Sequence, residues 1–168
     1  MPTLQERPTT PAPETLVTIQ PRLLNPAAMM PDALEGIQKM LVAVQKGGLS
    51  PSILALTHMR ASQINGCSSC KEGTIKHELR SGELDDRLLA VAAWHDSSRF
   101  AADERAALAL TECMTRLDDR ADAVPDDIWH AVAEHFDERG LAALVLHVAL
   151  VNLFNRLNVT TRQPAGEW

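Results

Sequence analysis

The sequence predicts an all-α, single-domain bundle of about seven helices. Three observations carry this. The chain has 168 residues, of which 45% are apolar and 23% charged, a length and balance that can bury one core. Ala and Leu dominate, Tyr is absent, and Phe and Trp number three each, which favours helix over strand. Apolar residues recur at helical spacing, and no segment alternates apolar and polar residues for any length.

The elements follow in order. Residues 1–20 are Pro/Thr-rich and read as an irregular N-terminal arm that could pack over a neighbouring subunit; the domain spans 21–168. From Pro31, "PDALEGIQKMLVAVQKGG" puts Leu34, Ile37, Leu41 and Val44 on one stripe and stops at Gly47-Gly48. A second helix opens with Ser50 as N-cap and Pro51 at the first helical position, and breaks near Asn65-Gly66. A third starts around Cys67 and ends at Ser81-Gly82. Helices over 85–96, 101–117 and 125–136 come next, with Asp103 and Glu104 favouring the dipole in a first turn. Residues 137–158 form one long helix or two, because Gly140 weakens a helix by ~1 kcal/mol relative to Ala.

Charge and hydropathy narrow the function. Net charge is −6 with no Lys/Arg block, which gives nucleic-acid binding little electrostatic support. The first residues hold no apolar stretch, so no signal peptide is expected. The longest apolar run, "LAALVLHVALVNLF" at 141–154, is shorter than a membrane span of ~20 residues and is interrupted by His147 and Asn152. No membrane association is expected, and a cytoplasmic location is. Thiols there are kept reduced, so a close cysteine pair is more often catalytic or metal-binding than a staple.

Such a pair stands in "ASQINGCSSCKEGTIKHE", residues 61–78. On a helix, Cys67 and Cys70 are one turn apart on one face, within disulfide reach. A helix N-terminus stabilises thiolate, and Lys71 adds positive charge. The pattern supports thiolate attack followed by resolution through the second cysteine. Half a zinc site is the competing reading, with His58 and His77 as further ligands, although nothing in their spacing calls for it. Cys113 reads as an inert buried residue, and Trp94 and Trp129 as core or interface.

The blocks "RASQINGCSSC" (60–70), "SGELDDRLLAVAAW" (81–94), "ERAALALTE" (104–112) and "ALVNLFNRLNV" (149–159) resemble the alkylhydroperoxidase AhpD-like branch of the carboxymuconolactone decarboxylase family. The resemblance runs from about residue 20 to 160. It implies an all-α AhpD-like bundle, homo-oligomers (trimers or hexamers) built by helix packing, and thiol peroxidase activity on a hydroperoxide. No cofactor or metal is expected, and the resemblance implies re-reduction by a disulfide-reducing protein partner. It makes Cys70 the peroxidatic residue and Cys67 the resolving one, whereas the helix dipole alone favours Cys67 as the more acidic thiol.

The family also carries a Glu twelve residues before the first Cys and a His four after the second, a proton relay. Here those positions hold Ala55 and Thr74. His58, one turn after Ala55, is the nearest candidate proton acceptor, and His77 lies two turns beyond Cys70 and reads as exposed. Loss of a general base typically costs 10²–10⁴-fold, so a weak peroxidase is expected. The alternatives are a non-peroxidatic dithiol protein for redox sensing or disulfide exchange, and an oligomeric binding protein that has lost catalysis. A lactone decarboxylase is disfavoured by the Cys pair. On the terminal helix, Asn152, Asn155 and Arg156 are expected to bond between helices.

Overall fold

The computed structural model describes residues 19–82, 86–117 and 121–166. The expected arm over 1–20 lies almost wholly outside them. Among the described residues there are eight α-helices, one 3-10 helix and no strand: α1 (Pro26–Met29), α2 (Pro31–Gln45), α3 (Pro51–Ile64), α4 (Ser68–Ser81), α5 (Arg87–Ala90), the 3-10 helix (Val91–Asp96), α6 (Ala102–Thr115), α7 (Asp126–Ala133) and α8 (Glu138–Thr161).

The all-α expectation holds, and helix punctuation reads well. Ser50 caps α3 by accepting the Ile53 N–H at 3.2 Å, with Pro51 at the first position. Gly82 ends α4 at φ +75°, a left-handed conformation in which glycine avoids a Cβ clash. The terminal segment is one helix. Asp137 caps it through the Gly140 N–H at 2.7 Å, so Gly140 sits in its first turn and does not divide it.

Two elements differ from expectation. α1 was not read from the sequence; Asn25 caps it and Pro26 opens it, a signal confined to four residues. Of the helix expected over 85–96, the described residues 86–96 do not make one helix. α5 gives way to the 3-10 helix, whose Ala93 has φ −113° and ψ 29°. Arg105 explains the tightening, because its guanidinium donates to the carbonyls of Trp94, His95 and Ser97 at 2.9–3.0 Å and gathers that end of the chain.

α3 is the central helix, lying against α4, α6 and α8. One core joins α3, α5, the 3-10 helix and α6 around Leu56, Leu88, Trp94 and Leu108. A second joins α3, α6, α7 and α8 around Ile53, Leu110, Val132 and Leu144. A third sets α1 and α2 on α8 through Ala27, Ile37, Val44 and Leu150. The stripe read on α2 thus faces inward at Ile37 and Val44, while Leu34 is 37% exposed. Trp94 is core, with Nε1 donating to Glu112 at 2.8 Å; Trp129 is 40% exposed. Cys113 is partly exposed and not buried as expected. The apolar run at 141–154 extends into a 24-residue helix, long and apolar enough to cross a bilayer by length and composition; half of its apolar window is buried, as in a core helix.

Gly47 sets the approach of α2 to α8. A Cβ on it would lie 2.1 Å from the Ala143 Cβ, which no rotamer change relieves. Gly47→Ala is expected to cost about 1–3 kcal/mol by overpacking. Urea unfolding checks this, and Ala143→Gly in the same chain should recover part of the loss if the overlap is the cause.

Candidate functional site

The cysteine pair sits at the start of α4, and the turn before it is held from α8. Asn65 ends α3, Gly66 takes φ +69°, and Cys67 N–H bonds the Ser62 carbonyl at 3.0 Å. Asn65 Nδ2 donates to Asn152 Oδ1 at 2.9 Å and to Asn155 Oδ1 at 2.8 Å. Asn155 in turn donates to Ser62 on α3, and Asn152 to Thr115 on α6. The two asparagines therefore bond between helices as expected, whereas Arg156 bonds back to Asn152 on its own helix. Buried amides in such a network fix one geometry, because an unpaired one is costly.

Cys67 is the N-cap of α4, and its Sγ accepts the Cys70 N–H at 3.2 Å. Cys67 and Cys70 are 1% and 5% exposed, joined as a disulfide, with Cα atoms 5.3 Å apart. The pair is thus close enough to close without rearranging the backbone. Cys70 Sγ also accepts Asn158 Nδ2 at 3.3 Å. Asn158 on α8 is 88 residues away in sequence and was not found by sequence reading. Among the described residues, no group of three His, Cys, Asp or Glu side chains could hold a metal ion.

Two clefts meet beside α4. The first, of about 460 Å³, is lined by Cys70 and Asn158 together with the apolar Ala27, Ala28, Leu34 and Phe154. The second, of about 280 Å³, is lined by Ala55, His77, Glu78 and His147 among others. His58, Gly73 and Thr74 line both. The small residues at 55, 73 and 74 leave this room between α3 and α4. A third cleft of about 250 Å³ lies beside Cys67, against Arg162 and Gln163.

His58 and Thr74 thus line the same cleft as Cys70. His58 Nε2 is buried and has no hydrogen-bond partner among the described residues, and buried polar atoms rarely stay so. Burial, then the neighbouring His147 and His77, push its pKa down to about 4, so the ring is neutral at pH 7. His147 packs edge-on against it with ring centroids 6.3 Å apart. His147 Nε2–H donates to the Leu54 carbonyl at 3.1 Å, which settles its tautomer, and burial brings its pKa to about 4 as well. Thr74 donates its hydroxyl to the Cys70 carbonyl at 3.1 Å. His77 is exposed. His147 carried no motif in the sequence; its one signal was a titratable residue within an apolar run.

The model of the carboxymuconolactone decarboxylase family matches residues 30–112. Among curated proteins, the chain is similar to the uncharacterised YdfG of Bacillus subtilis, with 29% identity over 81% of this chain and 91% of that one. It is also similar to the uncharacterised YnjA of Escherichia coli, with 33% identity over 72% of this chain and 65% of that one. Among solved structures, a protein of unknown function from Agrobacterium tumefaciens, provisionally named an AhpD antioxidant defence protein, superposes with a TM-score of 0.78 and 25% identity. It covers 89% of this chain, and all of that chain is matched. A debrominase solved with 2,3,4-tribromopyrrole shares the fold with a TM-score of 0.66, over 82% of this chain and 72% of its own, at 18% identity. With this fold, this family match and a Cys-x-x-Cys pair opening α4, the chain belongs to the carboxymuconolactone decarboxylase family as an AhpD-like protein.

Proposed function

We propose that the protein is a thiol-dependent hydroperoxide reductase of the peroxiredoxin type. One observation carries the reading: Cys70 lines an apolar cleft of about 460 Å³ while its sulfur is within bonding distance of Cys67. Cys70 thiolate attacks the distal oxygen of the hydroperoxide. The O–O bond breaks, the alkoxide takes a proton and leaves as alcohol, and Cys70 becomes a sulfenic acid. Cys67 thiolate then attacks that sulfur; the disulfide forms and hydroxide leaves, protonated, as water. A dithiol protein partner returns the pair to the thiols. His58, whose buried nitrogen in the cleft wall has no partner among the described residues, supports a role as hydrogen-bond partner and weak proton acceptor for the hydroperoxide. The groove beside α7 and α8 that exposes Trp129 and Leu146 supports a homo-oligomer.

The test follows loss of tert-butyl hydroperoxide with dithiothreitol as reductant. Cys70→Ser is expected to fall to the uncatalysed rate. Equal rates for Cys70→Ser and the parent chain would sink the reading. A chain whose thiols oxidise reversibly without peroxide turnover would instead be a dithiol exchange or sensing protein.

A further inference from the structure

The Cys70 sulfur has a donor whose orientation is fixed from a distance. The fixing group is a backbone N–H, which cannot be reversed. Ala27 N–H donates to Asn25 Oδ1 at 3.0 Å. This settles which end of the Asn25 amide is oxygen, so its Nδ2 is the end that donates to Asn158 Oδ1, at 3.1 Å. With the Asn158 oxygen engaged by that donor, its Nδ2 is the end that meets Cys70 Sγ, at 3.3 Å. Amide orientation is usually ambiguous. Here the bonds run in one direction from the start of α1, across the end of α8, to the sulfur. Asn158 is 4% exposed, so its donor competes with little water.

We infer that Asn158 is a catalytic residue of the Cys70 centre, its amide N–H holding the Cys70 thiolate, with Asn25 as the positioning residue that keeps that N–H aimed. The inference rests on the dithiol reading above, and it deepens it by assigning unequal roles to the two sulfurs. The start of α4 serves Cys67, through the Cys70 N–H at 3.2 Å. Left alone, that bond would gather negative charge on the cysteine beside the third cleft and away from the apolar one. The Asn158 bond places a comparable donor on the cysteine that lines the apolar cleft.

The same bond bears on the return half of the cycle. A partner dithiol attacks one sulfur of the disulfide and the other leaves as thiolate; the better-stabilised thiolate leaves faster. Attack on Cys67 forms a mixed disulfide there, breaks the Cys67–Cys70 bond and expels Cys70 thiolate onto the Asn158 N–H. The partner's second thiolate then displaces Cys67 and completes its own disulfide. Asn158 therefore makes attack at Cys67 a competent route, and the cleft beside Cys67 is lined by Gly66, Arg162 and Gln163.

The pH dependence of iodoacetamide alkylation tests this without peroxide turnover. In a Cys67→Ser chain, Asn158→Ala should raise the Cys70 pKa by about one to two units, the effect of one hydrogen bond to a charged group. Asn25→Ala, which leaves Asn158 in place, should raise it by less. In a Cys70→Ser chain, the same substitutions should leave the Cys67 pKa where it was. An unchanged Cys70 pKa, or equal shifts at both cysteines as loosened packing would produce, overturns the inference. If Asn158→Ala does not fold, Asn25→Ala carries the same comparison. A parent chain that consumes no hydroperoxide defeats the peroxidase reading but leaves this comparison able to succeed or fail by itself.

Discussion

A chain carrying both Ala55→Glu and Thr74→His is expected to consume hydroperoxide at neutral pH about 100-fold faster than the parent. The reason is the weakness of every base now near Cys70. A thiol with an ordinary pKa of ~8.5 is only a few per cent thiolate at pH 7, so its proton must go somewhere. His58 is neutral, but with its pKa at about 4 it takes that proton at a cost of roughly four pKa units. Thr74 spends its hydroxyl on the Cys70 carbonyl. An imidazole at position 74 would line the Cys70 cleft, and a carboxylate beside it would offset the burial that weakens His58 as a base. Ala55 and Thr74 line the second cleft together, so a carboxylate at 55 could orient that imidazole and hold it when protonated. Thr74→His alone should recover the smaller part of the gain. Ala55→Glu alone should recover little, because the imidazole it would orient at position 74 is absent. Initial rates with tert-butyl hydroperoxide decide it. A double variant no faster than the parent, with both thiols still titratable, would mean that proton transfer does not limit turnover.

What the sequence disclosed, and what it hid, divides along physical lines. Local chemistry was legible. Ser50-Pro51 opens α3, Asn65-Gly66 ends it, Gly82 closes α4, and the Cys pair stands at a helix start as its spacing required. These signals act within a few residues. The site's other half was not legible, because it depends on which helix covers which. His147 reaches the Leu54 carbonyl across 93 residues and Asn158 reaches Cys70 across 88. A helical period names the buried face but not the partner on it. Residues 91–96 show the same limit, since their tightening into a 3-10 helix is imposed by Arg105 from α6. Trp129 shows the converse, a residue type that predicts burial left 40% exposed beside the α7–α8 groove.

Acidification should lower the protein's stability in two stages, the first of them beginning near pH 6.5. His58 and His147 have folded pKa values near 4 against 6.5 in the unfolded chain. Below 6.5 the unfolded chain binds protons that the native one refuses, so stability falls as pH drops through this window and levels off below 4. Each ring accounts for at most about 3 kcal/mol, and the two do not add fully, because part of the His58 shift comes from His147. The groups around them are His77 and Glu78 on α4, both in the second cleft. The second stage includes Glu112. Burial raises its pKa, but hydrogen bonds from Trp94, Arg60 and Arg116 outweigh that and hold it at about 2. Its contribution is present above pH 4.5 and is lost as pH falls towards 2. Urea midpoints measured from pH 8 to 3 should decline below about 6.5, before the Glu112 contribution is lost. His58→Phe should lessen that early decline and leave the later one intact, since it removes one of the two rings that resist protonation in the folded chain. A midpoint that stays flat from pH 7 to 5 would mean the two rings take up protons in the folded state, and His58 would then be a stronger base than its burial allows.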